Sequence, residues 1–504
     1  MSFSILFIFT LSILIITILY KVLGNRYALD LPGTRKQHLF AISQIGGLFF
    51  GPFILYLGWW FRLAPTWYFI GGMVSILLGA IDDYRNVPWQ IKLTTQILLC
   101  IYISNLFWGR FDSIIFYSHS IFLKPITLFA IFVIWFVGIY NAVNLIDGLD
   151  GLAGGYILLL STGIAMAGLG VLSQLNGLIA VILLAFLVFN QRPAKLFMGD
   201  AGSLFLGYHI AVLPLLFADI NPNITSFPIT PFILLASYLI ADTTRVFFTR
   251  IADKKSPMTA DTIHLHHLIL QQSGSYLTSI CSIYGLTLLS VAFALFSFQA
   301  PLSSNMMFGH MGLLLIFILT PPVQTYVPLI NKIIHPFYFW QKNPNTDKPF
   351  PLRTLFMIAL LLGLVFSLLG YHDFSVLFNW EHGLAIAILF VFVPINSKKN
   401  ITMYVIQLAI VLLSIEIFWQ IELEAVPKIF ITLLSVSYII FTLERRTGSV
   451  INEFSSLDLL IILITLTGFF LSLSGFSNYF WFCMNLFSLW FSTSFILRRT
   501  IYRH

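Results

Sequence analysis

Apolar runs of about 20 residues recur along the whole chain, and short polar stretches separate them. Each run is long enough to cross the roughly 30 Å of hydrocarbon in a lipid bilayer. Because lipid offers no hydrogen-bond partner to the backbone, such a run is predicted to form a helix. The pattern predicts an all-α, polytopic integral membrane protein with about 17 transmembrane helices. The predicted spans are 3–23, 42–62, 65–81, 89–107, 125–143, 152–171, 174–190, 202–219, 229–248, 277–297, 310–331, 353–371, 376–396, 401–421, 426–443, 456–475 and 478–497.

The basic residues predict how these spans are oriented. Of the 27 Lys and Arg residues, 23 lie in or beside alternate loops. The other set of loops holds only Arg62, Arg110, Lys124 and Lys428. Because Lys and Arg concentrate in cytoplasmic loops, we expect the N-terminus outside and the C-terminus in the cytoplasm. The first apolar run has no basic n-region and no small-residue cleavage site, so we expect a retained span and not a signal peptide.

Composition excludes a soluble protein. The chain is 58% hydrophobic and only 9% charged, whereas soluble domains carry roughly 25% charged residues. The formal net charge of +7 is accounted for by the basic loops, so we expect no nucleic-acid partner. Cys100, Cys281 and Cys483 lie in apolar runs without metal-ligand spacing and are expected to be buried apolar residues.

One polar interruption predicts a domain boundary. The stretch 332–352 is rich in Asn, Pro and charged residues and separates eleven predicted spans from six. We therefore predict a membrane core over 1–331, a cytoplasmic linker loop over 332–352 and a six-helix extension over 353–504 to which the sequence assigns no role.

Two of the predicted cytoplasmic loops concentrate carboxylate and amide side chains. Asp82 and Asp83 are adjacent at the inner end of the third span, and adjacent carboxylates persist where a cation or a basic partner offsets their repulsion. Asn144, Asp147 and Asp150 lie in a glycine-rich loop and could bind a ribose, a base or a hard cation. The alternatives are a solvated helix end for the first loop and a turn with Asx caps for the second.

A third loop carries Asn190, Arg192, Lys195 and Asp200. Arg192 and Lys195 could meet a phosphate group. Asp200 stands where a new helix opens, and a helix N-terminus attracts anions. The alternative for Asp200 is an ordinary helix N-cap.

A fourth loop holds His264, His266 and His267 after a basic stretch. Three His within four residues suggest zinc or anion contacts, but no further zinc ligand or HExxH pattern is nearby. Contacts to a diphosphate or a sugar are therefore favoured, with an inconsequential His cluster as the alternative.

The charge of a fifth region, 30–38 with 46–47, is largely explained by topology. Carboxylates, basic groups and a glycine-rich loop on one membrane face together describe a site for a nucleotide diphosphate.

These motifs resemble those of the polyprenyl-phosphate N-acetylhexosamine-1-phosphate transferases, a family that includes MraY and the WecA-like enzymes. The matching segments are LGAIDDY, NAVNLIDGLDGLAGG, FNQRPAKLFMGDAGSLFLG and DTIHLHHLIL, with LDLPGTRKQH and IGG near the N-terminus. The resemblance covers about 1–331. Leu265 separates His264 from His266, which resembles the WecA-like branch. Ala41, Ser43 and Gln44 depart from the family pattern, which suggests a divergent branch whose sugar could differ.

The resemblance implies transfer of N-acetylhexosamine-1-phosphate, most often GlcNAc-1-phosphate, from a UDP-sugar to undecaprenyl phosphate. UMP would be released, and a lipid-linked cell-surface polysaccharide such as O-antigen would be initiated. It also implies Mg²⁺, with Mn²⁺ as the alternative, and a bacterial inner membrane with the active site facing the cytoplasm. A homodimer is left open. The rival functions are a transporter or flippase, which seventeen spans and the intramembrane Glu416 would suit, and a polymerase of lipid-linked glycans.

The resemblance also implies a role for each motif residue. The expected catalytic residues are Asp82, Asp83 and Asp200, and the expected metal ligands are Asp200 and Asp147. The expected substrate-binding residues are Asn144, Asp147, Asp150, Asn190, Arg192, Lys195, His264, His266 and His267.

Overall fold

The computed structural model describes residues 4–24, 27–30, 41–116, 119–256, 263–299 and 405. Helices dominate these residues, as the apolar runs predict. The helices are α1 (Ile5–Leu23), α2 (Gly46–Trp60), α3 (Thr66–Arg85), α4 (Trp89–Asn105), α5 (Pro125–Ile146), α6 (Leu152–Met166), α7 (Val171–Asn190), α8 (Gly199–Ile220), α9 (Thr230–Leu235), α10 (Ser237–Ala252), α11 (Leu265–Ser273) and α12 (Tyr276–Gln299).

Two small sheets join the loops, and the prediction of an all-α fold missed them. The strands are β1 (Leu29–Asp30), β2 (Ile42–Ser43), β3 (Ser113–Phe116), β4 (His119–Phe122) and β5 (Ser226–Pro228). β1 pairs antiparallel with β2, while β3 lies between antiparallel β4 and parallel β5. Each strand is at most four residues long, too short for an alternating pattern to stand out, and the pairing gives loop backbone groups the partners they need.

A helix occupies each of the first ten predicted spans, although the ninth is broken into α9 and α10. Within the described residues, four helices, α1, α5, α7 and α8, are long and apolar enough by themselves to cross a membrane. The fifth predicted span ends at residue 143, whereas α5 continues to Ile146 and carries part of the second motif with it. Apart from Val405, the last seven predicted spans lie outside the described residues, so the count of 17 and the orientation of the termini stay predictions.

The chain divides into two compact units, one of Ile18–Asn331 and one of Met1–Thr17 with Lys332–His504. The residues of all four polar loops belong to the first unit. Apart from Val405, the predicted linker loop 332–352 and the predicted extension 353–504 lie outside the described part of the chain.

Helix α8 is the centre of the first unit and packs against α2, α3, α5 and α7. Glycines permit its closest contacts. A Cβ atom on Gly47 of α2 would overlap the backbone of Gly202, and one on Gly79 of α3 would overlap the backbone of Asp200 and Ala201. Lipid gives apolar helices little reason to associate, so small residues that let backbones approach are a main source of packing energy. These contacts place the first turn of α8 directly beside α2 and α3.

A fully buried polar cluster joins α3, α7 and α8 away from the four loops. The hydroxyl of Tyr68 lies 3.0 Å from Nδ1 of His209, and Nε2 of His209 lies 3.2 Å from Oδ1 of Asn176. All three side chains have no exposed surface. Because a buried polar atom without a partner is costly, each member stabilises the others.

Replacing His209 with Phe should therefore destabilise the helix bundle while keeping the ring volume similar. Both hydrogen bonds would be lost, at a cost of about 1–2 kcal/mol. The measurement is the thermal midpoint of the purified protein in detergent. His119→Phe is the control, because His119 is exposed on β4. Equal midpoints for the two variants would contradict this role of the cluster.

Candidate active site

The carboxylate of Asp83 caps the N-terminus of α8. Its Oδ1 accepts the backbone N–H of Asp200 at 2.7 Å, and its Oδ2 accepts that of Ala201 at 3.1 Å. The first N–H groups of a helix have no partner within the helix, and their partial positive charge favours an anion. Met198, the N-cap residue of α8, supplies no side-chain bond. Asp83, from another helix, therefore fixes where Asp200 lies.

The neighbouring carboxylate, Asp82, is held by a different set of groups. Nζ of Lys92 lies 2.6 Å from its Oδ2, and the backbone N–H of Val87 donates to its Oδ1 at 2.6 Å. Burial acts to raise the pKa of Asp82, but hydrogen bonds from Asp200, Lys92 and Val87 outweigh it, and the pKa is lowered. Asp82 is therefore the carboxylate of this group that most readily keeps its charge.

Lys92 is a site residue that the sequence analysis missed, since it was used there only as evidence of topology. It lies in the first turn of α4, the helix that follows Asp82 and the end of α3. A basic residue in the first turn of the helix that follows a pair of acids is the signal that could have found it.

Asn144 connects α5 to the first turn of α8. Its Nδ2 donates to Oδ1 of Asp200 at 2.7 Å and to Oγ of Ser203 at 2.8 Å. The carboxyl group of Asp200 also lies within hydrogen-bonding reach of Asp82. The first, second and third predicted loops therefore meet at Asp200.

Asp147 follows the end of α5 and faces the same group of acids. Burial, together with the charges of Asp83 and Asp150, raises the pKa of Asp147 to about 7. Burial also raises the pKa of Asp83 to about 6, with the charge of Asp82 adding to it and the two backbone hydrogen bonds opposing it. Burial and the neighbouring carboxylates thus disfavour the charged forms of Asp83 and Asp147, and a nearby cation would favour them.

Magnesium fits this donor set in one particular way. No three Asp, Glu, His or Cys side chains among the described residues converge to hold a metal by themselves. Mg²⁺, however, usually keeps several waters and binds through one or two carboxylates together with substrate phosphates. Asp200 and Asp147 supply such hard oxygen donors beside uncompensated negative charge, so the residues fit a cation that a diphosphate helps to bind.

Asp150 and Asn190 fasten the second and third loops to each other. Oδ2 of Asp150 accepts the N–H of Ala194 at 3.0 Å. Oδ1 of Asn190 accepts the N–H of Gly151 at 3.0 Å, and its Nδ2 donates to the carbonyl of Leu196 at 2.8 Å. The amide of Asn190 is thus occupied at both ends by backbone. Whether either side chain also contacts a substrate stays a prediction.

The two basic residues of the third loop lie at its rim. Arg192 is exposed, and its guanidinium lies 4.6 Å from the ring centroid of Tyr276. The hydroxyl of Tyr276 donates to the backbone carbonyl of Asp150. Lys195 is half-buried on the same loop. Tyr276 was not predicted, because an aromatic residue at a helix start carries no signal of its own in a chain that is 16% aromatic.

The fourth loop packs against the second through Gly148. A Cβ atom there would lie 2.5 Å from Nε2 of His266 and 3.1 Å from Nε2 of His267. Burial, reinforced by the neighbouring His267, lowers the pKa of His266 to about 3, so its ring is neutral. Both ring nitrogens of His266 and Nε2 of His264 are buried without a hydrogen-bond partner among the described residues. Unpaired buried nitrogens at one place point to a ligand.

A further acid, Asp242 of α10, reaches this loop and was not predicted as a site residue. Its carboxylate lies 2.9 Å from Nδ1 of His264, accepts the N–H of Leu265 at 3.0 Å and pairs with Arg245 at 2.8 Å. Its side chain is 1% exposed. The signal was an acidic residue inside an apolar predicted span, where ionisable groups usually have a function.

Part of the fifth region also borders the site. The N–H groups of Gly46 and Gly47 donate to the carbonyls of Phe197 and Met198 at 2.9 and 2.8 Å. The start of α2 therefore holds the backbone of the third loop in place. Residues 31–40 of the fifth region lie outside the described part of the chain.

Comparison with known proteins agrees with the motifs. A family model described as Glycosyl transferase family 4 matches residues 65–218. The chain is 34% identical over 284 residues to the probable undecaprenyl-phosphate N-acetylglucosaminyl 1-phosphate transferase of Bacillus subtilis (strain 168), covering 54% of this chain and 78% of that protein. It is 28% identical over 257 residues to the undecaprenyl-phosphate alpha-N-acetylglucosaminyl 1-phosphate transferase of Thermotoga maritima, covering 50% of this chain and 75% of that protein. A transferase of the same name from Salmonella typhi is 28% identical over 287 residues, covering 52% of this chain and 75% of that protein. The chain belongs to glycosyl transferase family 4, which confirms the resemblance drawn from the motifs.

The contact between α3 and α8 gives a prediction about stability. Gly79→Ala would place a methyl group on the backbone of Asp200 and Ala201, so the helices must separate. Overpacking of this kind costs about 1–3 kcal/mol, which should lower the thermal midpoint in detergent. Gly138→Ala on α5 is the matched control, because nothing lies within 4 Å of its added atom. A midpoint for Gly79→Ala no lower than that of the control would contradict the close approach.

Proposed function

We propose that the chain transfers N-acetylhexosamine-1-phosphate, and specifically GlcNAc-1-phosphate, from a UDP-sugar to undecaprenyl phosphate with release of UMP. The observation that carries this proposal is the cap that Asp83 places on α8, which gathers Asp82, Asp147 and Asp200 at one end of the bundle. The names of the similar proteins from Bacillus subtilis and Thermotoga maritima support the sugar and the lipid acceptor.

The reaction brings two anions together. A phosphate oxygen of the lipid attacks the β-phosphorus of the UDP-sugar, and the bond from that phosphorus to the bridging oxygen breaks, so that UMP leaves with the bonding electrons. Catalysis of such a transfer depends mainly on positioning and on neutralisation of charge. Bound Mg²⁺, or Mn²⁺ in its place, would supply this neutralisation between the two phosphates.

The four acids would have different roles in the reaction. Asp200 and Asp147 would hold the cation. Asp83 has both oxygens on the backbone of α8 and would set the position of Asp200. Asp82 is the acid with the lowered pKa, and with Lys92 beside it would orient the lipid phosphate, which needs little deprotonation near neutral pH.

The other predicted residues would surround the UDP-sugar. Asn144, Asp150 and Asn190 hold together the loops that would form the nucleoside pocket. Arg192 and Lys195, on the rim, would meet phosphate oxygens. His264 and His266 offer the unpaired ring nitrogens described above, and these two residues together with His267 would contact the diphosphate or the sugar.

The proposal includes the position in the membrane. The site residues lie at the carboxyl ends of α3, α5 and α7 and at the amino end of α8, which is one end of the bundle. We place this end in the cytoplasm of a bacterial cell, where UDP-sugars are found, with the chain in the inner membrane, 17 spans, an external N-terminus and a cytoplasmic C-terminus. The product would start a cell-surface polysaccharide such as O-antigen, and a homodimer remains compatible with this arrangement.

A transporter or flippase is less well supported. Such a protein holds its substrate near the bilayer midplane between repeated halves. Asp82, Asp147 and Asp200 lie instead where helices begin and end. Glu416, which favoured that alternative, lies outside the described residues.

Membranes that contain the full chain should incorporate radiolabel from UDP-GlcNAc into lipid when undecaprenyl phosphate and Mg²⁺ are present. EDTA in place of Mg²⁺ should stop incorporation, because the phosphates would then repel each other without compensation. The same assay with UDP-GalNAc and UDP-glucose identifies the sugar. Absence of lipid-linked label from every UDP-N-acetylhexosamine, in membranes where the protein is shown to be folded, would overturn the proposed function.

Asp200→Asn should reduce Mg²⁺-dependent transfer at least about 100-fold, since it removes a charge and keeps the shape. The asparagine oxygen can still accept the hydrogen bond of Asn144, so the loops should keep their positions. The measurement is the initial rate in the same lipid assay across a range of Mg²⁺ concentrations. Asp219→Asn, a change at the exposed far end of α8, is the control and should leave the rate unchanged. Substantial activity in Asp200→Asn would remove Asp200 from the proposed metal site.

A further inference from the structure

The carboxylate of Asp242 has three partners, two on the segment 263–265 and one on its own helix. It accepts the N–H of Leu265, contacts Nδ1 of His264 and pairs with Arg245, which also donates to the carbonyl of Ile263 at 2.6 Å. Together, Asp242 and Arg245 fasten residues 263–265 to α10. Both the acid and the imidazole are almost fully buried, with 1% and 5% of their side chains exposed.

This arrangement determines which nitrogen of His264 carries the proton. Arg245 already balances the charge of Asp242, so the carboxylate stays ionised and has only acceptor atoms. Nδ1 of His264 must therefore be the donor in the 2.9 Å contact. Because Arg245 already balances the one negative charge of Asp242, a second positive charge on the buried ring of His264 would have no counter-ion. With its single proton on Nδ1, the ring has a bare Nε2, which can only accept a hydrogen bond.

Nε2 of His264 has no partner among the described residues, although it is buried. The side chain does not cap its own helix, even though His264 stands at the N-cap position of α11. The ring stacks at 5.8 Å on that of His266, which in turn packs on Gly148 of the second loop. The unpaired atom thus belongs to the fourth loop where that loop borders the cluster of acids.

A bare nitrogen discriminates between possible ligand groups. Phosphate oxygens at neutral pH need donors and would be repelled by a second acceptor. The hydroxyl groups and the amide N–H of an N-acetylhexosamine are donors. The chemistry of Nε2 therefore suits the sugar of the substrate and not its diphosphate.

We propose that Asp242 is a positioning residue that holds His264 with its proton on Nδ1, so that Nε2 accepts a hydrogen bond from the sugar of the UDP-N-acetylhexosamine. The proposal rests on the proposed function for the identity of the substrate. It adds a role for Asp242. It also distinguishes His264 from His266 and His267, because it assigns His264 to the sugar.

Asp242→Asn is the informative variant. The asparagine oxygen can still accept the N–H of Leu265, while its NH₂ group would face His264. The imidazole would then have to present a bare Nδ1 and carry its proton on Nε2. The change thus reverses the hydrogen-bonding character of Nε2 and preserves the shape of the loop.

The first measurement is ¹⁵N NMR of the full chain labelled at histidine, in detergent. Among the 11 His residues, the signal of His264 is identified by its loss in His264→Ala. We expect a protonated Nδ1 and a bare Nε2 in the unmodified protein and the opposite in Asp242→Asn. A proton on both nitrogens, or on Nε2 alone, in the unmodified protein would overturn the proposal even if Asp242→Asn failed to fold.

The second measurement compares the affinities for UDP-GlcNAc and UDP, by calorimetry with Mg²⁺ and without lipid acceptor. UDP lacks only the sugar. Asp242→Asn and His264→Ala should each weaken UDP-GlcNAc binding about tenfold, the effect of one lost hydrogen bond, and leave UDP binding unchanged. The double variant should bind no more weakly than His264→Ala. Asp253→Asn, on the exposed end of the same helix, is the control and should change neither affinity.

The outcomes separate this inference from the proposed function. Equal weakening of UDP and UDP-GlcNAc, or a further loss in the double variant, would show that Asp242 supports the loop in general, and the inference would fail while transfer could still be observed. The expected binding pattern in a protein that transfers no sugar would overturn the proposed function and leave the role of Asp242 standing.

Discussion

The hydrogen bonds from the first turn of α8 to the carboxylate of Asp83 are the interaction on which the site depends. These N–H groups have no partner in their own helix, and an unpaired polar group away from water costs several kcal/mol. The carboxylate satisfies two of them at once. Because α3 brings this acid, the position of α8 is set relative to α3, and Asp200 comes to lie beside Asp82. The glycines at positions 47 and 79 are the steric condition for this contact.

The same arrangement concentrates negative charge. Burial, together with the repulsion between neighbouring acids, raises the pKa values of Asp83 and Asp147. Carboxylates held in this way repel one another until a cation arrives. Helix packing and the cap on α8 already hold the acids together in the free protein, so substrate binding does not have to bring them together. A preorganised site of this kind suits a reaction whose main obstacle is the meeting of two anions.

The sequence predicts most helices and motif residues, but it misses the contacts between helices and the site residues Lys92 and Asp242. The apolar runs locate α1 to α10 and α12, and the alternation of basic loops indicates that the four motifs share one end of the bundle. Contacts such as Asp83 with Asp200, 117 positions apart, do not follow from spacing, because spacing does not give the rotation of one helix against another. For this reason Asp200 was considered as an N-cap, whereas the cap comes from Asp83. Asp242 and Lys92 were missed because each stands alone in its own segment.

The motif side chains fall into two groups that sequence alone could not separate. Asn190, Asp83 and Asp150 bond to backbone N–H or carbonyl groups and so hold the loops in place. His264 and His266 of the fourth loop instead keep buried ring nitrogens without hydrogen-bond partners in the described part of the chain. A buried atom left unpaired costs stability, whereas a paired one does not. The first group therefore explains why the site has a fixed shape, and the second indicates where that shape is to be completed by a ligand.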